Sequence, residues 1–234
     1  MNLIFDCDGV IVDTERDGHR EAFNAAFAAV GISDRWNEAT YGELLAIAGG
    51  KERMRAWFDR NGWPPAAGDR AAFIQELHRR KTDLFMEIIG AGKLPLRPGV
   101  ARLVDEAIAA GVPLAVCSTS NERAVELVIE RMLGAERKKR FLVLAGDVVA
   151  KKKPDPGIYL LAAERLRAKP GSCVVVEDSR NGLLAAKAAG MRCVITKSCY
   201  TRAEDFREAD AVFDDLGDSP GRCVRLADLA KLVR

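Results

Sequence analysis

Four short apolar runs from residue 113 onward, at 113–118, 141–145, 173–177 and 192–196, alternate with helical patterns. The runs show little polar alternation, as strands covered on both faces do. Among them stand "PGVARLVDEAIAAG", "NERAVELVIERMLG", "PGIYLLAAERLRA" and "NGLLAAKAAG", whose apolar residues recur at helical spacing. A further run at 3–7 supplies a fifth strand near the start of the chain. Strand–helix alternation of this kind specifies an α/β fold with a doubly wound parallel sheet. "TRAE" at 201–204 has capping-box spacing and predicts one more short helix.

Between the first and second strands the pattern breaks. Residues 15 to about 92 carry four helical segments, near 17–30, 38–47, 51–61 and 69–89, and no strand signal. Gly31, Gly49, Gly62 and Gly90 follow their ends, where a left-handed terminal residue is favoured. A connection of that length is a folding unit and not a crossover. The expected organisation is a sheet-based core of residues 1–14 and 95–234, with a small α-helical cap domain of residues 15–94 inserted into it. "DTERDG" and "GAGKLPLRPG" are the two tethers.

Charge excludes some partners. Lys and Arg number 36 against 34 Asp and Glu, a net charge of +2, so there is no electrostatic case for nucleic acid. No stretch approaches the ~18 apolar residues of a membrane helix, so no membrane partner is expected. Cysteines 7, 117, 173, 193, 199 and 223 contain no C-x-x-C and read as reduced thiols of an intracellular protein. The chain runs straight into its first strand, so an organellar protein is expected here in its mature form. A monomer is expected.

The first strand ends in an unusual way, with Asp6 and Asp8 two residues apart and followed by Gly9. Alternation along a strand projects both carboxylates to one side, and ligands of doubly wound sheets bind beyond the carboxyl ends of the strands. Two acids there repel each other unless a cation or a proton lies between them. Asp and Gly also form ordinary turns, so the pair carries weight only with its neighbours. The second strand is followed by Ser118, Thr119, Ser120 and Asn121, hydroxyls and an amide at a helix start that can cradle a phosphate. The third is followed by Lys151, Lys152 and Lys153, and the fourth by Glu177, Asp178 and Ser179. Acids for a divalent metal, a lysine for charge and hydroxyls for phosphate oxygens form one set. That set suits phosphoryl transfer through an aspartyl-phosphate, with Mg²⁺ between the attacking carboxylate and the phosphate.

"FDCDGV", "CSTSN", "KKKPDP" and "VVVEDSRNGLLAAKAAGM", in this order, resemble the four motifs of the haloacid dehalogenase-like (HAD) phosphotransferases. The resemblance spans essentially the whole chain. It implies Asp6 as nucleophile, Asp8 as general acid and base, and Ser118 and Lys153 as phosphate contacts. It further implies Mg²⁺ held by Asp6, the Asp8 backbone carbonyl and Asp178, with Glu177 near or in the shell. The helical insertion resembles the small cap of the β-phosphoglucomutase-like branch. A second aspartate two residues after the first argues against a dehalogenase.

In the insertion, "AGGKERMRAWF" places Gly49 and Gly50 at a helix start, with Lys51, Glu52 and Arg53 after them. Backbone N–H groups and cations there can hold an anion opposite the reacting phosphate, which points to a sugar bisphosphate. "FDCDGVIVDTERDGHREAFN", "YGELLAIAGGKERMRAWF" and "FLVLAGDVVAKKKPDP" resemble, more closely, the CbbY phosphatases of photosynthetic organisms. That resemblance implies hydrolysis of xylulose-1,5-bisphosphate, an inhibitor of Rubisco, to xylulose 5-phosphate. It implies substrate contacts at Glu15, His19, Arg20, Gly49 to Arg53, and Ser118 to Asn121. "DTERDGHR" carries one residue more than the bacterial pattern and matches the plastid form, which implies the chloroplast stroma, the alternative being a bacterial cytoplasm. A β-phosphoglucomutase, a phosphoglycolate phosphatase and a non-catalytic phosphate-binding protein on the same fold stay open as alternatives.

Overall fold

The structure, a computed structural model, describes the chain except for residues 93, 220, 222 and 234. Lys93 of the second tether therefore lies outside the described residues. Strands β1 (Asn2–Phe5), β2 (Leu114–Ser118), β3 (Phe141–Ala145), β4 (Cys173–Glu177), β5 (Arg192–Thr196) and β6 (Ala211–Phe213) form one sheet. Its order is β3-β2-β1-β4-β5-β6 and every pairing is parallel. The order reverses at β1, between β2 and β4, so a crevice opens beyond the carboxyl end of the strand that carries Asp6 and Asp8.

The insertion comprises α1 (Arg20–Ala29), α2 (Glu38–Leu44), α3 (Gly50–Asn61) and α4 (Arg70–Gly90). The sheet is flanked by α5 (Val100–Ala109), α6 (Glu122–Leu133), α7 (Ala135–Lys138), α8 (Gly157–Arg165), α9 (Arg180–Ala188) and α10 (Leu226–Ala230). Side chains alternate across β1: Leu3 and Phe5 enter one core with Leu103, Val104, Val125 and Ile129, while Ile4 enters the other with Ile158, Ala162 and Leu183. That alternation is what a doubly wound sheet requires. The insertion packs a third cluster of its own, centred on Phe23, Phe27, Trp36, Tyr41, Met54 and Phe58. Phe85 and Ile89, at the far end of α4, join the sheet's core instead and anchor the insertion to it.

Two expectations are corrected. The sheet has a sixth strand, β6, paired in parallel with β5. Three residues, "AVF", are too few for a periodic signal, and the β5–β6 connection lacks the helix that marks the other crossovers. The second correction concerns 201–204, which is a run of turns and not a helix. Thr201 Oγ1 accepts from the Ser198 N–H at 2.9 Å, and the Glu204 carboxylate accepts the Arg180 N–H, so neither half of the capping box forms.

The helix expected from 17 begins at Arg20. Residues Glu15–His19 form a π turn, in which the His19 N–H donates to Thr14 O at 2.8 Å. A wide turn of this type takes up one additional residue without displacing the helix that follows.

Candidate active site

The Asp6 N–H extends the β1 ladder onto Val176 O at 2.9 Å, which fixes the carboxylate just past the strand. Lys153 arrives from the loop after β3. Its ammonium donates to Asp6 Oδ1 at 2.5 Å, Glu177 Oε1 at 2.6 Å and Cys117 O at 3.0 Å. Glu177 is fully buried and fully engaged: Tyr159 OH donates to Oε1 at 2.6 Å, and the Asp178 N–H, Ser179 N–H and Ser179 hydroxyl converge on Oε2. Burial works against both charges, but each more than recovers from its partner. Lys153 is held above its usual range by Asp6 and Glu177, and Glu177 below its usual range by Lys153 and Tyr159.

The single charge of Lys153, though bonded to both Asp6 and Glu177, balances one of the three buried acids Asp6, Glu177 and Asp178. Burial raises Asp6 well above the carboxylate range, Lys153 offsetting part of the effect while Glu177 and Asp8 add to it. Asp178 is raised by burial and by Glu177 and Asp6. Oxygen atoms of Asp6, Glu177 and Asp178 come within 4.8 Å of one another. Gly9, at φ +81°, lies so close that a Cβ there would stand 2.0 Å from Asp178 Oδ2, so only glycine fits the loop against this acid. A surplus of buried, closely spaced carboxylate oxygens is the donor set of a hard divalent cation such as Mg²⁺. With Glu177 occupied by Lys153, Tyr159 and backbone N–H groups, Asp6 and Asp178 are the side chains free to ligate it.

Asp8 lines the same cleft but has different neighbours. Thr14 Oγ1 donates to its Oδ1 at 2.5 Å and Ser120 Oγ to its Oδ2 at 2.6 Å. His19 Nε2 lies 2.9 Å from Oδ1, and Lys81 Nζ lies 2.7 Å from His19 Nδ1. An ammonium only donates, so Nδ1 accepts and Nε2–H points at Asp8. Burial opposes ionisation of Asp8, yet the hydrogen bonds from His19, Ser120 and Thr14 hold its carboxyl below the usual range. Burial also lowers Lys81 to about 8. Phe85 stacks on the His19 ring with centroids 3.9 Å apart, which fixes its plane.

The structure brings most of the expected residues together. Glu15, Arg53, Ser118 and Thr119 line the cleft with Asp6, Asp8, Lys153 and Asp178. His19, Gly49, Gly50, Ser120 and Asn121 line an adjoining cavity that shares Glu15, Arg53 and Thr119. Asn121 caps α6 by accepting the Arg123 N–H at 3.1 Å. Arg53 is buried, and its guanidinium donates to Leu44 O, Ile47 O and Tyr41 OH, while Tyr41 OH donates to Glu15 Oε2 at 2.5 Å.

Three expected contacts face elsewhere. Lys51 pairs with Asp147, across the boundary between insertion and sheet. Glu52 folds back over Gly49, where a Cβ would meet its carboxylate at 2.1 Å. Arg20 pairs with Glu21 at 2.6 Å and donates to Arg16 O. Sequence reasoning missed Lys81, Tyr159 and Ser198, the last of which also lines the cleft. Lys81 sits in "HRRKTD", where nothing distinguishes the one inward lysine from its solvated neighbours.

Comparison with known proteins gives the family. The model of the haloacid dehalogenase-like hydrolases matches residues 1–190. A CBBY-like protein of Arabidopsis thaliana is 56% identical over 236 residues, covering 99% of this chain and 74% of its own. The crystal structure of CbbY from Rhodobacter sphaeroides with phosphate superposes with a TM-score of 0.88 at 41% identity, covering 97% of this chain and 98% of that one. A mutant of the same protein in complex with xylulose-(1,5)bisphosphate gives 0.86 at 41% identity, covering 95% and 99%.

Proposed function

Because the chain belongs to the haloacid dehalogenase-like hydrolases and is a CbbY-like phosphatase, we propose that it hydrolyses xylulose-1,5-bisphosphate to xylulose 5-phosphate and phosphate. The observation that carries the reading is a second, buried cation in the wall of the cleft. Arg53 reaches it with a guanidinium bonded to two carbonyls and a phenol, so its charge is available to the far phosphate of a bisphosphate. The relative solved with xylulose-(1,5)bisphosphate supports the same substrate class. The longer "DTERDGHR" tether supports a chloroplast role.

The chemistry follows from the chain's own residues. Asp6 attacks phosphorus as the bond to the sugar oxygen breaks, and Asp8 gives its proton to that leaving oxygen. Water then attacks the aspartyl-phosphate, its proton passing to Asp8, which releases phosphate and restores Asp6. His19, Ser120 and Thr14 favour the ionised Asp8, which suits the second step, in which Asp8 is the base, and works against the first, in which Asp8 must hold a proton. Lys153 and Ser118 meet the oxygens of the transferring group. Mg²⁺, held by Asp6, the Asp8 carbonyl and Asp178, would offset the repulsion between carboxylate and phosphate.

Phosphate release with Mg²⁺ from xylulose-1,5-bisphosphate, ribulose-1,5-bisphosphate, β-glucose 1-phosphate and phosphoglycolate tests the proposal. Strong preference for the first is expected. Arg53→Ala should then raise KM for the bisphosphate at least about tenfold, in line with loss of a charged hydrogen bond, and leave a small monophosphate ester nearly unaffected. Conversion of β-glucose 1-phosphate to glucose 6-phosphate as the main activity would overturn it.

A further inference from the structure

Arg97 lies on the second tether, at the point where the chain returns from the insertion to the sheet. Its backbone N–H donates to Ile11 O at 2.9 Å, beside an antiparallel bridge between Leu96 and Val12. Its two terminal guanidinium nitrogens donate to four carbonyls, drawn from the ends of three strands and the loops that follow them. Nη1 donates to Gly9 O and to Thr196 O at 3.1 Å; Nη2 donates to Lys197 O and Asp214 O, each at 2.7 Å. Among the described residues no carboxylate pairs with it. These loops follow β1, β5 and β6.

Two of the loops carry the cleft. Gly9 follows Asp8 directly and is packed against Asp178 with no room for a side chain, while Lys197 precedes Ser198, which lines the cleft beside Asp178. The planar guanidinium fork ties the Gly9 carbonyl to those of Thr196, Lys197 and Asp214, and so braces Gly9, the residue next to Asp8, where it packs against Asp178. We propose that Arg97 is a positioning residue for the cation site: by holding Gly9 it sets the distance between the Asp8 carbonyl and the Asp178 carboxylate. Because it stands on the tether, it also links the seating of the insertion to that distance. The inference rests on the reading that the divalent cation is held by Asp6, the Asp8 carbonyl and Asp178.

Isothermal calorimetry of Mg²⁺ binding to the full chain tests it, comparing the wild type with Arg97→Lys, Arg97→Met and Asp178→Asn. An ammonium cannot span four carbonyls in the plane of the fork, so Arg97→Lys should weaken Mg²⁺ binding about tenfold and Arg97→Met more. At saturating Mg²⁺ the KM for substrate should change less than about threefold, with the kcat deficit partly restored. Wild-type Mg²⁺ affinity in Arg97→Lys, with only the thermal midpoint lowered, would make Arg97 an ordinary brace and overturn the proposal. That outcome decides the matter even where Arg97→Met fails to fold. Binding by the wild type that survives in Asp178→Asn would instead overturn the assignment of the cation site, and the proposal with it.

Discussion

Asp6→Asn should abolish turnover, by 10⁴-fold or more on the order of other nucleophile deletions, while leaving the protein folded. The amide is nearly isosteric and cannot attack phosphorus. Structure around it should persist, because Lys153 keeps Glu177 at 2.6 Å and Cys117 O at 3.0 Å. Removing a carboxylate that burial already drives above its usual range relieves an unfavourable charge, so the thermal midpoint should hold or rise. Phosphate-release assays and thermal unfolding read both effects. Residual activity within a hundredfold of wild type would remove Asp6 from its role.

Lys153→Met should give the largest loss of stability. The ammonium is the cation bonded to both Asp6 and Glu177, and all three side chains are buried. Deleting it strands a carboxylate in a low-dielectric site, which costs about 3–5 kcal/mol. Glu177 retains Tyr159 and the backbone N–H groups, so Asp6 bears most of the change. The sign with pH is fixed by the same logic. A carboxyl whose folded-state pKa is raised contributes stability below its unfolded pKa, and that contribution is lost as pH rises through the folded value. Asp6 is raised already, and losing Lys153 removes an influence that lowers it. The deficit in urea denaturation should therefore be greater at pH 7 than at pH 5. Equal deficits at both would show that Lys153 acts through packing alone. Activity should vanish with the charge.

The parts of this molecule legible in its sequence share a physical reason. β1, β2 and β4 are wholly buried, so their apolar runs are uninterrupted and easily read. Asp6 and Asp8 follow β1 and Asp178 follows β4 within three residues, and a strand's end fixes where the next residues go, whereas Lys153 comes from the longer loop after β3. What stayed hidden depends on tertiary neighbours. β6 is only three residues long and leans on β5. Lys81 is one of several basic residues on α4, and burial against Phe23 and Phe85 singles it out only once the helix is docked. Lys51 stands at the helix start as expected, but Asp147, distant in sequence, takes its charge. Arg97 reads as a linker residue, and its role arises from three loops meeting in space.

The central claim is that the acids beyond β1 carry out covalent phosphoryl transfer. Its most direct test is acid quenching during turnover of xylulose-1,5-bisphosphate with Mg²⁺, followed by mass spectrometry of the tryptic peptide ending at Arg16. A phosphoryl group on Asp6, present only with substrate and absent from Asp6→Asn, is the expected result. Phosphate release with no phosphopeptide at any quench time, or with the label on another residue, would contradict the account.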